Sequence, residues 1–303
     1  MKVTQKASVM VQIVLLVILL ILSGCATVPY NYGKGLEKSD TLALRPGENQ
    51  FDRGRPVAFV DGLGHYVLSL PSKLILWNWQ VDNHDISGET EAALQKYLAD
   101  NGLANVKVRV NQYAPKDEWR RLIKNKGMPG FFRYTAGVVL TTLYMILPDR
   151  VFAGLFGGDH YNPFTNTINL YSDNPAIAIH EGGHAKDFAR FGRWGKGWYA
   201  FLYMAPFSTL YVEGVATGDT IGYLRQEQKQ QKEKDAYKIL YPAYATYIGG
   251  EGLRWFPVDI GLSYLAQIAV AVPGHIVGRI KAANVDEPPE KTGEGLAVPV
   301  LAK

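Results

Sequence analysis

Hydrophobic and polar positions follow a strand-like period in some stretches of the chain and a helical one in others. Residues 105–113 alternate apolar and polar side chains, which predicts a half-buried strand, and the apolar run at 56–60 predicts a buried one. Residues 87–102 and 115–127 predict helices, since each opens with good start residues. The pattern therefore favours a mixed, helix-rich α+β domain.

Three long stretches carry few or no charges. They span 134–148, 197–212 and 260–278. Buried core helices are one interpretation, and association with a membrane surface or a lipid-facing channel is the other. By contrast, 225–238 is rich in charged side chains and predicts a solvated helix.

The first residues have the pattern of an export signal. Lysines near the start are followed by an apolar run from Ala7 to Leu22 and then by Ser-Gly-Cys, which ends at Cys25. This resembles a bacterial lipoprotein signal, although a transmembrane anchor would have a similar apolar run. The resemblance implies removal of residues 1–24 and lipidation of Cys25. The alanine that follows, Ala26, points to the outer membrane, facing the periplasm.

Composition divides the rest of the chain and excludes some classes of partner. Among 303 residues, 32 basic and 28 acidic side chains leave a net charge of +4, so nucleic acid is an unexpected partner. Residues 25–56 predict a lipidated N-terminus and polar tether, residues 57–283 a single domain, and residues 284–303 a disordered tail. The one cysteine excludes a disulfide within the chain.

The densest chemistry lies in the sequence His-Glu-Gly-Gly-His. His180 and His184 are four residues apart, so on a helix their rings share one face, with Glu181 at its rim. Asn174 is a plausible cap for that helix and Pro175 suits its first position. This His-Glu-x-x-His arrangement is typical of zinc hydrolases, in which the glutamate is the general base.

A third protein ligand is needed, because two histidines and water make a poor zinc site. Glu213 and Ala216 match the Glu-x-x-Ala-Asp pattern of gluzincin metallopeptidases, with Thr217 where aspartate is expected. Over roughly residues 160–225 the chain thus resembles a gluzincin-type zinc metallopeptidase. Asp187 and Asp219 are candidates to replace the missing carboxylate beside a ligand histidine.

The resemblance implies a zincin-like catalytic domain with a small sheet packed against the helix of His180. It implies Zn²⁺ held by His180, His184 and Glu213, with Glu181 as the catalytic base acting on a peptide or protein substrate. A strand at 167–172 would pair with that substrate. Candidate donors to the oxyanion are His160, Tyr241, Tyr244, Tyr247 and His275.

Glycines flank the predicted ligands. Gly182 and Gly183 each weaken a helix by about 1 kcal/mol relative to alanine. Gly214, Gly218 and Gly222 recur every four residues and would form a bare ridge. We expect this ridge to let the two helices approach closely. Two other functions remain open: a non-catalytic envelope lipoprotein with an intact or degenerate zinc site, and an assembly factor that binds lipid or proteins.

Overall fold

The computed structural model describes residues 29–39, 41–155, 157–202, 205, 208–253 and 260–286. The predicted signal, the lipidation site Cys25 and most of the predicted tail at 284–303 lie outside these residues. The described chain folds as a helix-rich α+β structure with a small mixed sheet.

The strands are short and the helices account for most of the described chain. The strands are β1 Phe51–Arg53, β2 Lys107–Val110, β3 His160–Asn162 and β4 Thr167–Leu170. The helices are α1 Ala58–Leu63, α2 Leu70–Leu76, α3 Gly88–Asp100, α4 Pro115–Lys124, α5 Gly130–Phe132, α6 Val138–Ile146, α7 Asp149–Phe152, α8 Pro175–Ala189, α9 Arg193–Leu202, α10 Ser208–Gln226, α11 Gln230–Leu253 and α12 Ile260–Ala283. A π-helical turn follows α1 at Gly64–Leu68, and another joins α5 to α6 at Arg133–Gly137.

The sheet has the order β1-β2-β4-β3, in which only β3 runs antiparallel to its neighbour. Strand β4 lies between β2 and β3, so both of its edges are already hydrogen-bonded. The prediction that residues 167–172 pair with a substrate is therefore wrong. Strand β3 forms an edge of the sheet instead.

Strand β2 is not half-buried as its alternating sequence predicts. All four of its residues are buried, including Lys107 and Arg109. Lys107 forms an ion pair of 2.6 Å with Asp52, and Arg109 forms one of 2.8 Å with Glu118. Buried charges require such partners. The alternating period of the sequence did not predict these ion pairs.

Two other sequence predictions are wrong at the N-terminal side. Residues 56–60 lead into helix α1 rather than a strand, and Phe59 is 79% exposed. Residues 25–56 are not a free tether in the part that the structure describes. Within them β1 pairs with β2, and the buried Tyr30 hydroxyl donates to Asp219 at 2.9 Å. This segment therefore belongs to the folded domain.

Helices α3 and α8 begin where the sequence predicts. Ser87 caps α3 by accepting from the Thr90 amide, and Asn174 caps α8 with Pro175 in its first turn. The predicted solvated helix at 225–238 begins later, at Gln230, and one of its glutamates, Glu233, is buried. Local capping chemistry therefore sets these starts more reliably than apolar period does.

Helices α8 and α10 approach each other closely at Gly183. A Cβ built on Gly183 would lie 3.2 Å from both Cα and O of Ala216. The expected close packing of the two helices is thus present at Gly183. Gly214 instead faces Tyr244, whose hydroxyl would lie 3.5 Å from an added Cβ.

The predicted apolar stretches do not all become buried core. In α6, Val139 and Ile146 are 56% and 63% exposed, and in α9 Trp198 is 52% exposed. Among the residues that the structure describes, no helix combines the length and apolar character needed to span a membrane.

We expect Gly182→Ala to lower the free energy of unfolding by about 1–3 kcal/mol, because overpacking a tight core costs about that much. The new Cβ would lie 2.6 Å from the buried ring of Tyr97 and 3.2 Å from Leu94. Urea denaturation of the purified protein measures the change.

Gly250→Ala is the matched control, since this α11 glycine is exposed and an added Cβ meets nothing within 4 Å. Alanine there should stabilise the helix by about 1 kcal/mol. Stabilisation by both substitutions would contradict the close packing at Gly182.

Candidate metal centre

The Asn174 cap fixes the residue at which helix α8 begins. The Asn174 side chain accepts hydrogen bonds from the amides of Ala176 and Ile177 at 3.0 and 3.3 Å. Fifteen residues of helix follow, from Pro175 to Ala189. One turn therefore separates His180 from His184, and both rings lie on the face turned towards α10.

Three predicted ligands converge. His180 Nε2 lies 3.0 Å from Glu213 Oε2 and 3.1 Å from His184 Nε2, and His184 Nε2 lies 3.5 Å from Glu213 Oε1. Ligands at about 2.0–2.1 Å from a tetrahedral zinc ion are themselves about 3.3–3.4 Å apart. The separations among these three side chains are thus close to those that a zinc ion requires.

Glu181 belongs to the same cluster. One of its carboxylate oxygens and one nitrogen from each of His180 and His184 all lie within 4.8 Å of one another. All four side chains are buried, with exposures of 7%, 5%, 4% and 2% for His180, Glu181, His184 and Glu213. The Glu181 carboxyl group therefore lies as close to the two imidazoles as a general base in such a site would need to be.

The charges of the cluster shift the pKa values of its members. Burial lowers the pKa of the His184 imidazole, but the Glu213 carboxylate outweighs this and raises that pKa to about 9. Burial raises the pKa of Glu213, yet the two imidazoles hold it well below its usual range. Burial raises the pKa of Glu181, against the opposing effect of the imidazoles.

The donor set fits a zinc ion. Two imidazole nitrogens and a carboxylate oxygen are the ligands of a catalytic zinc site with three protein ligands. The Nε2 atoms of His180 and His184 lie 3.1 Å apart although both side chains are buried, and the carboxylate of Glu213 contacts both of them. One feature differs from the usual arrangement: the buried Nδ1 of His180 has no hydrogen-bond partner among the described residues.

Asp187, Thr217 and Asp219, the candidates to orient a predicted ligand histidine by a hydrogen bond, lie in different surroundings. Asp187 is buried and lies close enough to His184 for their charges to interact. Thr217 is buried and lines the cavity beside the ligands. Asp219 instead binds Lys186 at 2.6 Å and the hydroxyls of two tyrosines. Asp187 is therefore the best placed of the three.

A cavity of about 140 Å³ adjoins the cluster. Its walls include His180, Glu181, Glu213 and Thr217 together with residues that the sequence patterns did not single out. Those additional residues are Ser72, Leu76, Val81, Asp82, Gly158, Asp159, Ile177, Leu240 and Ala243. They come from segments far apart in the chain, so no local motif identifies them.

Asp82 and Asp159 place two more carboxyl groups in this wall. Asp159 Oδ1 accepts from the amides of Tyr171 and Ser172 at 2.7 and 3.0 Å. Asp82 accepts from the Ser72 hydroxyl at 2.7 Å and is only 2% exposed. Neither residue belongs to a motif that the sequence analysis identifies.

The five candidate oxyanion donors separate into two groups. Tyr244 and Tyr247 line the cavity, and the Glu213 charge raises the pKa of Tyr247 well above its ordinary value. Tyr244 already donates to the Leu210 carbonyl at 3.0 Å. His275 stacks on Trp77, with ring centroids 3.9 Å apart.

His160 and Tyr241 complete that set. His160 contacts Gly158 O and the Asn169 side chain at 3.0 and 3.1 Å, and Tyr241 packs on Tyr237. Neither lines the cavity. Of the two tyrosines that line the cavity, Tyr247 therefore interacts with Glu213, whereas Tyr244 is hydrogen-bonded to a backbone carbonyl.

Comparison with known proteins adds no relative to this picture. No protein-family model, no curated protein and no solved structure matches the chain. The function is therefore inferred from the residues of the site and from its geometry.

We expect Glu213→Gln to weaken zinc binding by at least about 100-fold, because loss of an outer partner alone typically costs about 10–100-fold. Zinc content per chain and competition with a chelator measure the effect. Glu89→Gln, at a glutamate whose side chain is 69% exposed, is the control. Unchanged zinc affinity in Glu213→Gln would remove Glu213 from the ligand set.

Asp82→Asn is expected to stabilise the metal-free protein more at pH 8 than at pH 4. Burial, followed by the charge of Asp159, raises the pKa of Asp82 to about 7. The folded state thus holds this proton more tightly than the unfolded state, and stability falls as pH rises from about 4 to 7. Asparagine removes that loss.

Urea denaturation across this pH range measures the difference between wild type and Asp82→Asn. Asp85→Asn, at an exposed position nearby, controls for the loss of one carboxyl group. Equal effects of the two substitutions at every pH would show that the burial of Asp82 has no energetic consequence.

Proposed function

We propose that the protein is a zinc-dependent peptidase with a zincin-like catalytic domain, attached to the cell envelope. The observation that carries the proposal is the convergence of His180, His184 and Glu213 to separations of 3.0–3.5 Å with Glu181 beside them. These side chains come from two helices, and their chemistry is that of a hydrolytic zinc site.

The fold supports the zincin-like part of the proposal in two ways. A small sheet lies against helix α8, through contacts of that helix with β3 and β4. The third ligand comes from the following long helix, α10, as in gluzincins. Both features support the proposal of a zincin-like domain.

In this proposal each residue has a defined task. His180, His184 and Glu213 would hold zinc, which when bound would lower the pKa of a water molecule and polarise the peptide carbonyl. Glu181 accepts the proton of the attacking water and passes it to the leaving amine. Burial raises the pKa of Glu181, which makes its carboxylate a stronger base than that of an exposed glutamate.

Tyr247 is the proposed donor to the developing oxyanion. It lines the same cavity as Glu181 and lies beside Glu213. A hydroxyl with a pKa above its ordinary value stays protonated at neutral pH and can donate a hydrogen bond. The proposed role therefore needs no change in the ionisation of this tyrosine.

The substrate is proposed to be a peptide or protein segment that binds in extended form along β3. This strand is an edge of the sheet, and Asp159, directly before it, lines the cavity. Extended peptides bind by adding a strand to such an edge. The cavity of about 140 Å³ has room for only a small part of that segment.

The proposed location rests on the N-terminal sequence alone. A lipid on Cys25 would hold the domain at the outer membrane, where periplasmic proteins and peptides are the available substrates. The alternative is an envelope lipoprotein whose zinc site has no catalytic task. The small volume of the cavity is the feature that favours this alternative.

Glu181→Gln separates the two functions. We expect it to lower the rate of peptide cleavage by about 10²–10⁴-fold, as for loss of a general base, while zinc content stays unchanged. Cleavage of a library of fluorogenic peptides, analysed by mass spectrometry, is the measurement.

Glu89→Gln again serves as the control for removal of one carboxylate. Wild-type cleavage with full zinc content and no cleavage in Glu181→Gln is the expected result. Equal cleavage by wild type and Glu181→Gln would exclude the proposed mechanism, and a zinc-containing wild type with no cleavage would favour the alternative.

A further inference from the structure

Two neighbouring segments turn aromatic side chains towards solvent. On α9, Trp194, Trp198 and Phe201 are 63%, 52% and 40% exposed, and on the segment from α5 into the following π-helical turn Phe131 and Tyr134 are 64% and 56% exposed. We call these five side chains the aromatic platform. Their spacing places the residues of each segment on one helical face.

The buried ring of Phe132 joins the two halves of the platform. Its centroid lies 5.2 Å from that of Trp198, 6.3 Å from that of Trp194 and 5.3 Å from that of Phe131. Gly197 permits this contact, because an added Cβ would lie 2.2 Å from the Phe132 ring. The platform is therefore one continuous surface on a packed base.

An apolar cleft of about 320 Å³ adjoins the platform on α9. Trp198 and Leu202 form one side of it, and Tyr211 and Val212 of α10 form the other. Tyr211 is 66% exposed. The apolar surface therefore continues from the platform into a cleft instead of ending at a polar rim.

The two segments that carry the platform have charged residues of one sign. Residues 121–148 and 188–212 contain no aspartate or glutamate, whereas both contain arginine and lysine. Lys124, Lys126 and Arg193 are exposed in these segments. The surface thus combines exposed aromatic rings with flanking positive charge.

We propose that the aromatic platform binds the surface of an anionic lipid bilayer. Tryptophan and tyrosine favour the membrane–water interface, where one part of the ring meets apolar chains and the polar part meets water. Basic residues beside such a face are attracted to anionic headgroups. Exposed aromatic rings and basic residues occur together in the segments that form the platform.

A second copy of the chain fits this surface less well. In a two-fold dimer each platform would face the same platform of the other copy. The basic residues of both would then meet without acidic partners, since neither segment supplies any. A bilayer containing anionic lipid has the complementary charge, and this decides between the two occupants.

The platform contact is distinct from the proposed lipid anchor at Cys25. An anchor holds the protein near a membrane without fixing which face touches it, whereas the platform would set an orientation. The test must therefore report contact at the platform and not attachment alone.

Tryptophan quenching gives that readout. The full-length protein is reconstituted into vesicles of phosphatidylcholine with about one third phosphatidylglycerol, with or without lipids brominated near the headgroup. We expect strong quenching in the wild type and loss of most of it in Trp194→Phe/Trp198→Phe. Trp119→Phe, at a half-buried tryptophan of α4, should leave the quenching nearly unchanged.

Charge reversal tests whether the basic residues beside the platform contribute to binding. Lys124→Glu/Lys126→Glu/Arg193→Glu should lower quenching in the anionic vesicles. Reversal of three lysines outside the platform, Lys34, Lys229 and Lys238, is matched in total charge and should not lower it. Circular dichroism and zinc content show that the variants remain folded.

Three results would overturn the proposal. The first is that Trp194 and Trp198 are not quenched although the protein floats with the vesicles, which leaves only the anchor. The second is equal loss of quenching in both charge-reversal variants. The third is a disulfide-linked dimer formed by Trp198→Cys in the vesicles, which identifies a second copy as the occupant.

Discussion

The close approach of helices α8 and α10 is the constraint on which the site depends. Gly183 has no side chain, so the backbone of α10 at Ala216 can lie against α8. Three residues before Ala216, Glu213 then reaches the nitrogens of His180 and His184. A larger side chain at Gly183 would separate the helices and lengthen these distances, because packed cores yield little. The glycine that weakens α8 as a helix thus makes the ligand geometry possible.

A buried ion pair holds the same two helices further along. Lys186 of α8 donates to Asp219 of α10 at 2.6 Å, and its ammonium group also contacts the hydroxyl of Tyr30 at 2.7 Å. Tyr97 from α3 donates to the same carboxylate. A buried charge that loses one partner is costly, so these groups favour a single arrangement of the helices. The N-terminal segment, through Tyr30, is part of that arrangement.

The site and the surface of the protein differ in what surrounds their polar groups. In the site, imidazoles and carboxylates face one another in a buried cavity, where their mutual charges set the pKa values of His184 and Glu213. On the surface formed by α9 and its neighbours, aromatic rings are exposed, and segments 121–148 and 188–212 contain basic but no acidic residues. The proposed functions follow this division, with hydrolysis in the cavity and lipid contact at the platform.

The sequence by itself determined the features that depend on neighbours along the chain. The start of α8 at Pro175, the shared face of His180 and His184, and the helix-rich α+β class follow from capping and from helical period. Tertiary structure alone decided which strand is an edge, why Lys107 is buried and that Asp82 lines the cavity. Each of these depends on contacts between segments far apart in the chain, and a local period carries no information about such contacts.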